Sequence, residues 1–244
     1  MEWKAPALIL SAFPYGENSL VAKVLTREHG VSSGLVKGGA SRRQSALWQP
    51  GNIAMLRWYA KLPGQLGSFQ GELQEALAAR VMVSGFHLSL LTASCALVSQ
   101  AWPEYDPMPV VFDRTLELVE KIATSAQKGE QGEVQRYFLL WGKLLLDQLG
   151  YGLDLETCAL TGENTGLKWV SPRTGRAVTD EAAQPWKKHL LPLPQCLVKP
   201  SAPFLPEDWL KGLQLLGYFF QKNIFSPCNK PLPAAYVRLY EQAK

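Results

Sequence analysis

Lys37, Arg42 and Arg43 stand close together in the segment Lys37-Gly38-Gly39-Ala40-Ser41-Arg42-Arg43-Gln44-Ser45. Positive charge on a flexible stretch carrying glycines and small hydroxyl donors suits contacts to phosphate oxygens that need no fixed register. Lys23, Arg27 and Arg57 add positive charge on neighbouring segments. Trp48, Trp58 and Tyr59 lie beside these cations, and aromatic faces interleaved with Lys and Arg are what sequence-tolerant stacking on single-stranded bases requires. Trp58 and Tyr59 are adjacent, so strand alternation sends them to opposite faces and at most one can stack at a given surface. Farther along, Arg136 and Lys143 are seven residues apart and share roughly one helical face, a geometry that can grip a carboxylate-rich peptide.

Chemistry that makes or breaks bonds has no comparable signal. The chain has no P-loop, Gly-x-Gly-x-x-Gly, Gly-x-Ser-x-Gly or His-Glu-x-x-His sequence. His29, His87 and His189 fall in a turn, on a buried helix and in a Pro-rich segment, and nothing in the sequence gathers them. Cys95, Cys158, Cys196 and Cys228 are spaced by 63, 38 and 32 residues, with no local chelating pair. The expectation is a protein that is not an enzyme and holds neither metal nor cofactor.

The elements that must position the basic loop follow from composition and pattern. At 244 residues, 47% hydrophobic and 19% charged, the chain can bury a core and is neither disordered, collagen-like nor mucin-like. Its few, scattered cysteines point to a reducing compartment, and an N-terminus with an acid at Glu2 lacks the form of a secretory signal. Val81 to Pro103 carries no charged residue, but its Ser, Thr, His and Gln residues read as a buried helix of a bundle rather than a membrane span. The net charge is +4; residues 1–61 contribute +5 and the remainder −1, so a surface facing a polyanion belongs to the first domain.

Ala7–Phe13, Leu20–Thr26, Val31–Gly38, Asn52–Tyr59 and Gln65–Leu73 read as strands, the last two joined by a Pro63-Gly64 turn. Five short strands in about 75 residues suit a small closed barrel, an oligonucleotide-binding (OB) barrel first and an SH3-like barrel second. From Glu75 the period changes: Leu77–Trp102, Val110–Ala126 and Glu133–Leu149 read as helices, the third stopped by Gly150. An irregular Pro-rich insert at about 153–205 holds the short strands Leu167–Val170 and Arg176–Thr179. Pro206-Glu207-Asp208 opens a helix to about Gln221, and a terminal helix starts at Pro233. The fold class is α+β, with a barrel domain at 1–76 and a helical domain at 77–244.

Several of these segments occur together in one family. Tyr15-Gly16-Glu17-Asn18-Ser19, Thr26-Arg27-Glu28-His29-Gly30, Val36-Lys37-Gly38-Gly39-Ala40-Ser41-Arg42-Arg43, Leu47-Trp48-Gln49-Pro50 and Leu149-Gly150-Tyr151-Gly152, in this order, resemble the RecO family of DNA repair and recombination mediator proteins. Cys158-Ala159-Leu160-Thr161-Gly162 and Val170 to Val178 are similar to its alphaproteobacterial branch. The resemblance implies an OB barrel, a helical domain and, in some members, a zinc-binding insert. It also implies binding to single- and double-stranded DNA, annealing of complementary strands and, with RecR, loading of RecA onto DNA coated by single-stranded-DNA-binding protein (SSB), in the cytoplasm at the nucleoid. Lys37, Arg42 and Arg43 carry over as DNA contacts, with Lys23, Arg27 and Arg57 as weaker barrel-face candidates. Members of the family often dock the acidic SSB tail on an Arg-x-Phe-Glu type sequence; this chain departs from it with Arg136-Tyr137-Phe138-Leu139 and Lys143 beyond, which leaves the register of an Arg136 and Lys143 docking site open. Zinc-bearing members have two Cys-x-x-Cys pairs, but here Thr161 stands three residues after Cys158 and Gly175 to Val178 holds no thiol, so no metal is expected. The insert is expected to pack on Leu160, Leu167, Trp169 and Val178 instead. An OB-type RNA-binding protein and a protein-binding scaffold are the alternatives that charge and aromatics leave open.

Overall fold

The computed structural model describes residues 1–62 and 65–244, so the Pro63-Gly64 turn lies outside the described residues. Two compact units divide the chain, Met1–Gly129 and Glu130–Lys244. The first begins with β1 (Glu2–Tyr15), β2 (Ser19–Thr26), β3 (Gly30–Val36), β4 (Ile53–Tyr59) and β5 (Gly67–Glu75). Their order is β1-β2-β3-β5-β4, and β4 pairs back onto β1, which closes the sheet into a barrel. β1 outruns the expected Ala7–Phe13 because its halves serve different partners: Glu2–Leu8 pairs with β4 and Ala7–Tyr15 with β2. β3 and β5 meet in parallel over just two residue pairs, Gly34↔Gly67 and Leu35↔Ser68.

The barrel interior explains its sequence. Ala7, Ala22, Ala54 and Ala60 are small, and the space they leave is filled by Trp48, Trp58 and Phe69. Gly34 is required at the seam because a Cβ there would lie 2.7 Å from the Phe69 ring. The register of β1 on β2 slips by one residue between Ile9 and Ser11, leaving Leu10 as a β-bulge. Ala7 and Ile9 face the core before the bulge, Ala12 packs on it afterwards, and Ser11, Phe13 and Tyr15 therefore turn outward.

Three helices complete the first unit: α1 (Leu77–Val81), α2 (Gly85–Ala101) and α3 (Pro109–Lys128). The single helix expected over Leu77–Trp102 is broken at Ser84, which is extended at φ −138° and ψ 118°. Gly85 is a poor helix former, and Ser84 Oγ lies 2.8 Å from His87 Nδ1, a local pairing that starts a new helix. α2 is apolar nearly all round and packs against β1, where the Cys95 thiol donates to the Ile9 carbonyl at 3.9 Å. No helix among the described residues is long and apolar enough to cross a membrane.

The second unit starts with α4 (Gly132–Gln148), which ends as its glycine predicts: Gly150 takes φ +84° while the Tyr151 N–H reaches the Leu146 carbonyl at 2.8 Å. The insert holds β6 (Leu167–Val170), β7 (Ala177–Thr179), α5 (Asp180–Ala183), β8 (Leu191–Pro192) and α6 (Gln195–Val198), with its sheet ordered β7-β6-β8. Leu167 and Val178 are buried as expected, and Trp169 is half-buried with its Nε1–H donating to Asp180 at 2.8 Å. Leu160 corrects the expectation: it rides outward on the turn closed by the Gly162 N–H and the Cys158 carbonyl, and is 64% exposed. α7 (Pro206–Phe220) and α8 (Ala234–Gln242) follow, and α7 begins with the Asp208 carboxylate accepting the Leu205 N–H at 3.0 Å. Gly142 on α4 faces Leu216 and Gly212 on α7 faces Leu139, so the two helices approach where a Cβ would collide.

Candidate nucleic-acid interface

The basic loop leaves β3 at Val36 and enters β4 at Ile53. It is not held by its glycines' freedom alone. The Ser41 hydroxyl donates to the Gly38 carbonyl at 2.7 Å, and the Gln44 and Ser45 N–H groups donate to the Ser41 carbonyl at 3.0 and 2.9 Å. The Ala40 N–H ties the loop to the Asn18 carbonyl in the β1–β2 turn at 3.2 Å. Leu47 and Trp48 plug into the barrel core, and Asn52 fixes the exit by donating to the Ala46 carbonyl at 2.8 Å and accepting the Ala78 N–H at 3.0 Å. The result is a stapled arch from which Lys37, Arg42 and Arg43 project, exposed and without a hydrogen bond or ion pair among the described residues.

The barrel-wall cations are different. Arg27 binds Asp113 through two nitrogens, Nε to Oδ1 at 3.1 Å and Nη2 to Oδ2 at 3.2 Å. Arg57 Nε donates to Glu2 at 2.6 Å, and that hydrogen bond holds the Glu2 carboxyl below the usual carboxylate range. Lys23 Nζ lies 2.8 Å from Glu104, which also accepts the Ser33 hydroxyl at 2.7 Å. Partial burial would push the Glu104 carboxyl up, but the Lys23 and Ser33 hydrogen bonds outweigh it and the net shift is downward. Exposed pairs of this kind add little stability, yet each removes a cation from the set that can meet phosphate without first displacing a carboxylate.

The aromatic assignments also change. Trp48 and Trp58 are 2% and 4% exposed, and Trp58 donates its Nε1–H to the Ser33 carbonyl at 3.1 Å, so neither can stack on a base at the surface. Tyr59 is exposed, beside a 250 Å³ cleft shared with Glu2, Arg57, Ser68 and Gln70. Phe13 and Tyr15, on the strand whose turn is tied to the basic loop, are exposed at 66% and 61%, and alternation from Ala7 and Ile9 would assign both to the core. The run Leu8-Ile9-Leu10 does not reveal the bulge, because with the barrel core on one side and α2 on the other both faces of this stretch are buried.

In the second unit, Arg136 and Lys143 do not form a free pair. Arg136 donates to the Pro200 carbonyl at 3.3 Å and lies 5.9 Å from the Phe204 ring, while Lys143 Nζ pairs with Asp147 at 3.1 Å. The 410 Å³ groove along this helix is rimmed by Asp147, Asp154 and Glu156 as well as Lys143, which disfavours an acidic peptide.

The insert's donors do not fit a zinc ion. Cys158 is the one thiol on its turn, and among the described residues no three His, Cys, Asp or Glu side chains gather as ligands. Burial raises the Cys158 thiol, but the Thr161 hydroxyl and the backbone N–H groups of Thr179, Leu160 and Thr161 overcome it and bring it down to about 6. Burial instead pushes Cys95 up to about 12. His29 stacks on Trp3 with ring centroids 4.8 Å apart, and His87 is the partner of Ser84 already described.

Comparison with known proteins places these features. The family model for the N-terminal part of recombination protein O matches residues 1–76, and that for its C-terminal part matches residues 82–231. Proteins named DNA repair protein RecO are similar along nearly the full length. Those of Gluconacetobacter diazotrophicus and Granulibacter bethesdensis are each 42% identical, over 99% of this chain and 94% and 95% of theirs. That of Rhodospirillum centenum is 40% identical, over 99% of this chain and 94% of its own.

Proposed function

The chain belongs to the RecO family of DNA repair proteins, and on that premise we propose that it is a non-enzymatic recombination mediator that binds single- and double-stranded DNA by phosphate neutralisation at its N-terminal barrel. The observation that carries this reading is the stapled arch with Lys37, Arg42 and Arg43 all exposed and unpaired, beside barrel-wall cations that are each matched by a carboxylate. Three free cations on one arch attract a polyanion of any sequence, which is what annealing and loading of arbitrary strands require. The barrel is read as an OB barrel; its strand order and the parallel pairing of β3 with β5 support that assignment.

Annealing of complementary strands, action with RecR and loading of RecA onto SSB-coated DNA are proposed from family membership. The second unit then serves as the protein-docking part. The acidic SSB tail is proposed as a partner on the same ground, while Arg136 and Lys143 already serve Pro200 and Asp147. The test is annealing of two labelled complementary oligonucleotides, each precoated with cognate SSB, with and without the protein over a salt series. Acceleration that falls with salt is the expected result. No acceleration together with no binding to bare strands at low salt would refute the reading.

A further inference from the structure

Past the Leu10 bulge, the outer face of the first three strands carries a row that the basic loop alone does not explain. Phe13 on β1, Val21 on β2 and Leu35 on β3 are in register, Phe13↔Val21 and Val21↔Leu35, and form one apolar band across three strands. Two residues on along β1, Tyr15 pairs with Ser19. The two ends of this face differ in charge. At one end Ser11, Lys23 and Ser33 are in register, and there Glu104 neutralises Lys23 and takes the Ser33 hydroxyl, while the Tyr105 N–H bonds to the Val31 carbonyl at 2.8 Å. At the other end Lys37 follows the Leu20↔Val36 pair directly, and the arch with Arg42 and Arg43 is tied to the β1–β2 turn. Tyr15 thus lies at the end where the arch is tied and Phe13 midway along the face, and the exposed Glu17 of the β1–β2 turn sets one carboxylate beside the three cations of the arch.

We propose that Phe13 and Tyr15 form a stacking platform for unpaired bases, so that this end of the barrel favours single-stranded DNA over duplex; the proposal rests on the DNA-binding reading above. A single strand offers both a phosphate and a free base face, and the platform with its adjoining cations matches both, whereas a duplex offers phosphates but keeps its base faces stacked on one another. Geometry agrees. Residues two apart on a strand are separated by about 6.7 Å, roughly twice the 3.4 Å step of a stacked strand, so successive aromatics meet bases that have already been pulled apart. An acidic peptide would use the cations and leave the aromatics idle, and the charge gradient toward Lys37 gives no reason for a purely apolar partner.

The test is fluorescence anisotropy of the full chain with a labelled oligo(dT) and with a blunt duplex of equal length, at low salt and over a salt series. Phe13→Ala/Tyr15→Ala removes two exposed side chains from a barrel whose core they do not enter, and an unchanged urea midpoint certifies the fold. Expected is a fall in single-strand affinity of about tenfold to a hundredfold, from stacking on one or two bases, with duplex affinity within about twofold and the salt slope unchanged, and with Phe13→Tyr/Tyr15→Phe restoring single-strand binding. Equal losses on both DNAs, or no loss on either, would overturn the platform while leaving the cation arch intact. A dimer in sedimentation that dissociates in Phe13→Ala/Tyr15→Ala would overturn it too. Wild-type protein that binds neither DNA would remove the DNA-binding reading, and the platform with it.

Discussion

The division of the barrel cations into free and paired predicts how binding responds to salt. Lys37, Arg42 and Arg43 project without partners, whereas Lys23, Arg27 and Arg57 are each held by a carboxylate within 3.1 Å. Each free cation that meets a phosphate releases a counterion and adds about 0.7 to the slope of log affinity against log salt for a single strand. Replacing the three arch cations by Ala therefore lowers that slope by about two units, and over a fourfold rise in salt the variant loses roughly twentyfold less affinity than the wild type. Replacing Lys23, Arg27 and Arg57 together leaves the slope near the wild-type value, because the DNA never displaced salt from them. Asp113→Asn, which frees Arg27, raises the slope by up to about 0.7. Anisotropy of a labelled oligonucleotide from low to moderate salt reads all three, with circular dichroism melts certifying the fold. Equal slope losses in the arch and wall variants would refute the reasoning, since pairing in the free protein would then have no bearing on which cations meet DNA.

Three other outcomes test the framework beneath the site. Gly30→Ala should destabilise the protein by about 2–4 kcal/mol in urea unfolding, since φ +60° costs a side chain about 1–2 kcal/mol and its Cβ would also run into the Asp106 carbonyl; Gly16→Ala, at φ +65° with open space around it, should cost only the first part. Trp58→Ala should cost about 3–5 kcal/mol by emptying the barrel centre and leaving the Ser33 carbonyl unpaired, and should lower DNA binding only in proportion to the unfolded fraction. Because the Cys158 thiol is depressed to about 6, its contribution to stability is complete above the ordinary thiol value of about 8.5 and is lost as pH falls through 6. The gap in urea midpoint between wild type and Cys158→Ala should therefore widen from pH 6 to pH 9, and a constant gap would contradict the lowered thiol.

Local chemistry was legible in the sequence wherever neighbours along the chain decide the structure. The hairpin turns at Gly16 and Gly30, the helix end at Gly150 and the proline-led start of α7 all rest on residues within a few positions of one another. The basic arch was legible for the same reason. What sequence could not supply was the distant partner: Asp113 is 86 residues from Arg27 and Glu2 is 55 from Arg57, and these contacts decide which cations stay free. Parity was the second blind spot. One inserted residue at Leu10 reverses inside and outside for the rest of β1 and puts Phe13 and Tyr15 on the surface, while Trp48 and Trp58, off that segment, are interior because they fill the space left by the small alanines of the barrel. The helix break at Ser84 was missed because the apolar run on both sides masks a single serine-glycine step.

The parallel seam has a consequence for how the barrel comes and goes. β3 and β5 touch over two residue pairs whose partners are 33 positions apart in the chain, while the antiparallel pairings of β1 with β2 and with β4 run for most of their length. Loop closure of that span returns few hydrogen bonds, so the seam is expected to form late in folding and to open first, which amide exchange at Leu35 and Ser68 faster than along β1 and β2 would check. Glycines on both sides, Gly34 and Gly67, keep the joint thin enough for Phe69 and Trp58 to pack against it. The barrel is thus a curled ribbon fastened along one short edge, and the arch bridges from the β1–β2–β3 meander to β4 across that closure.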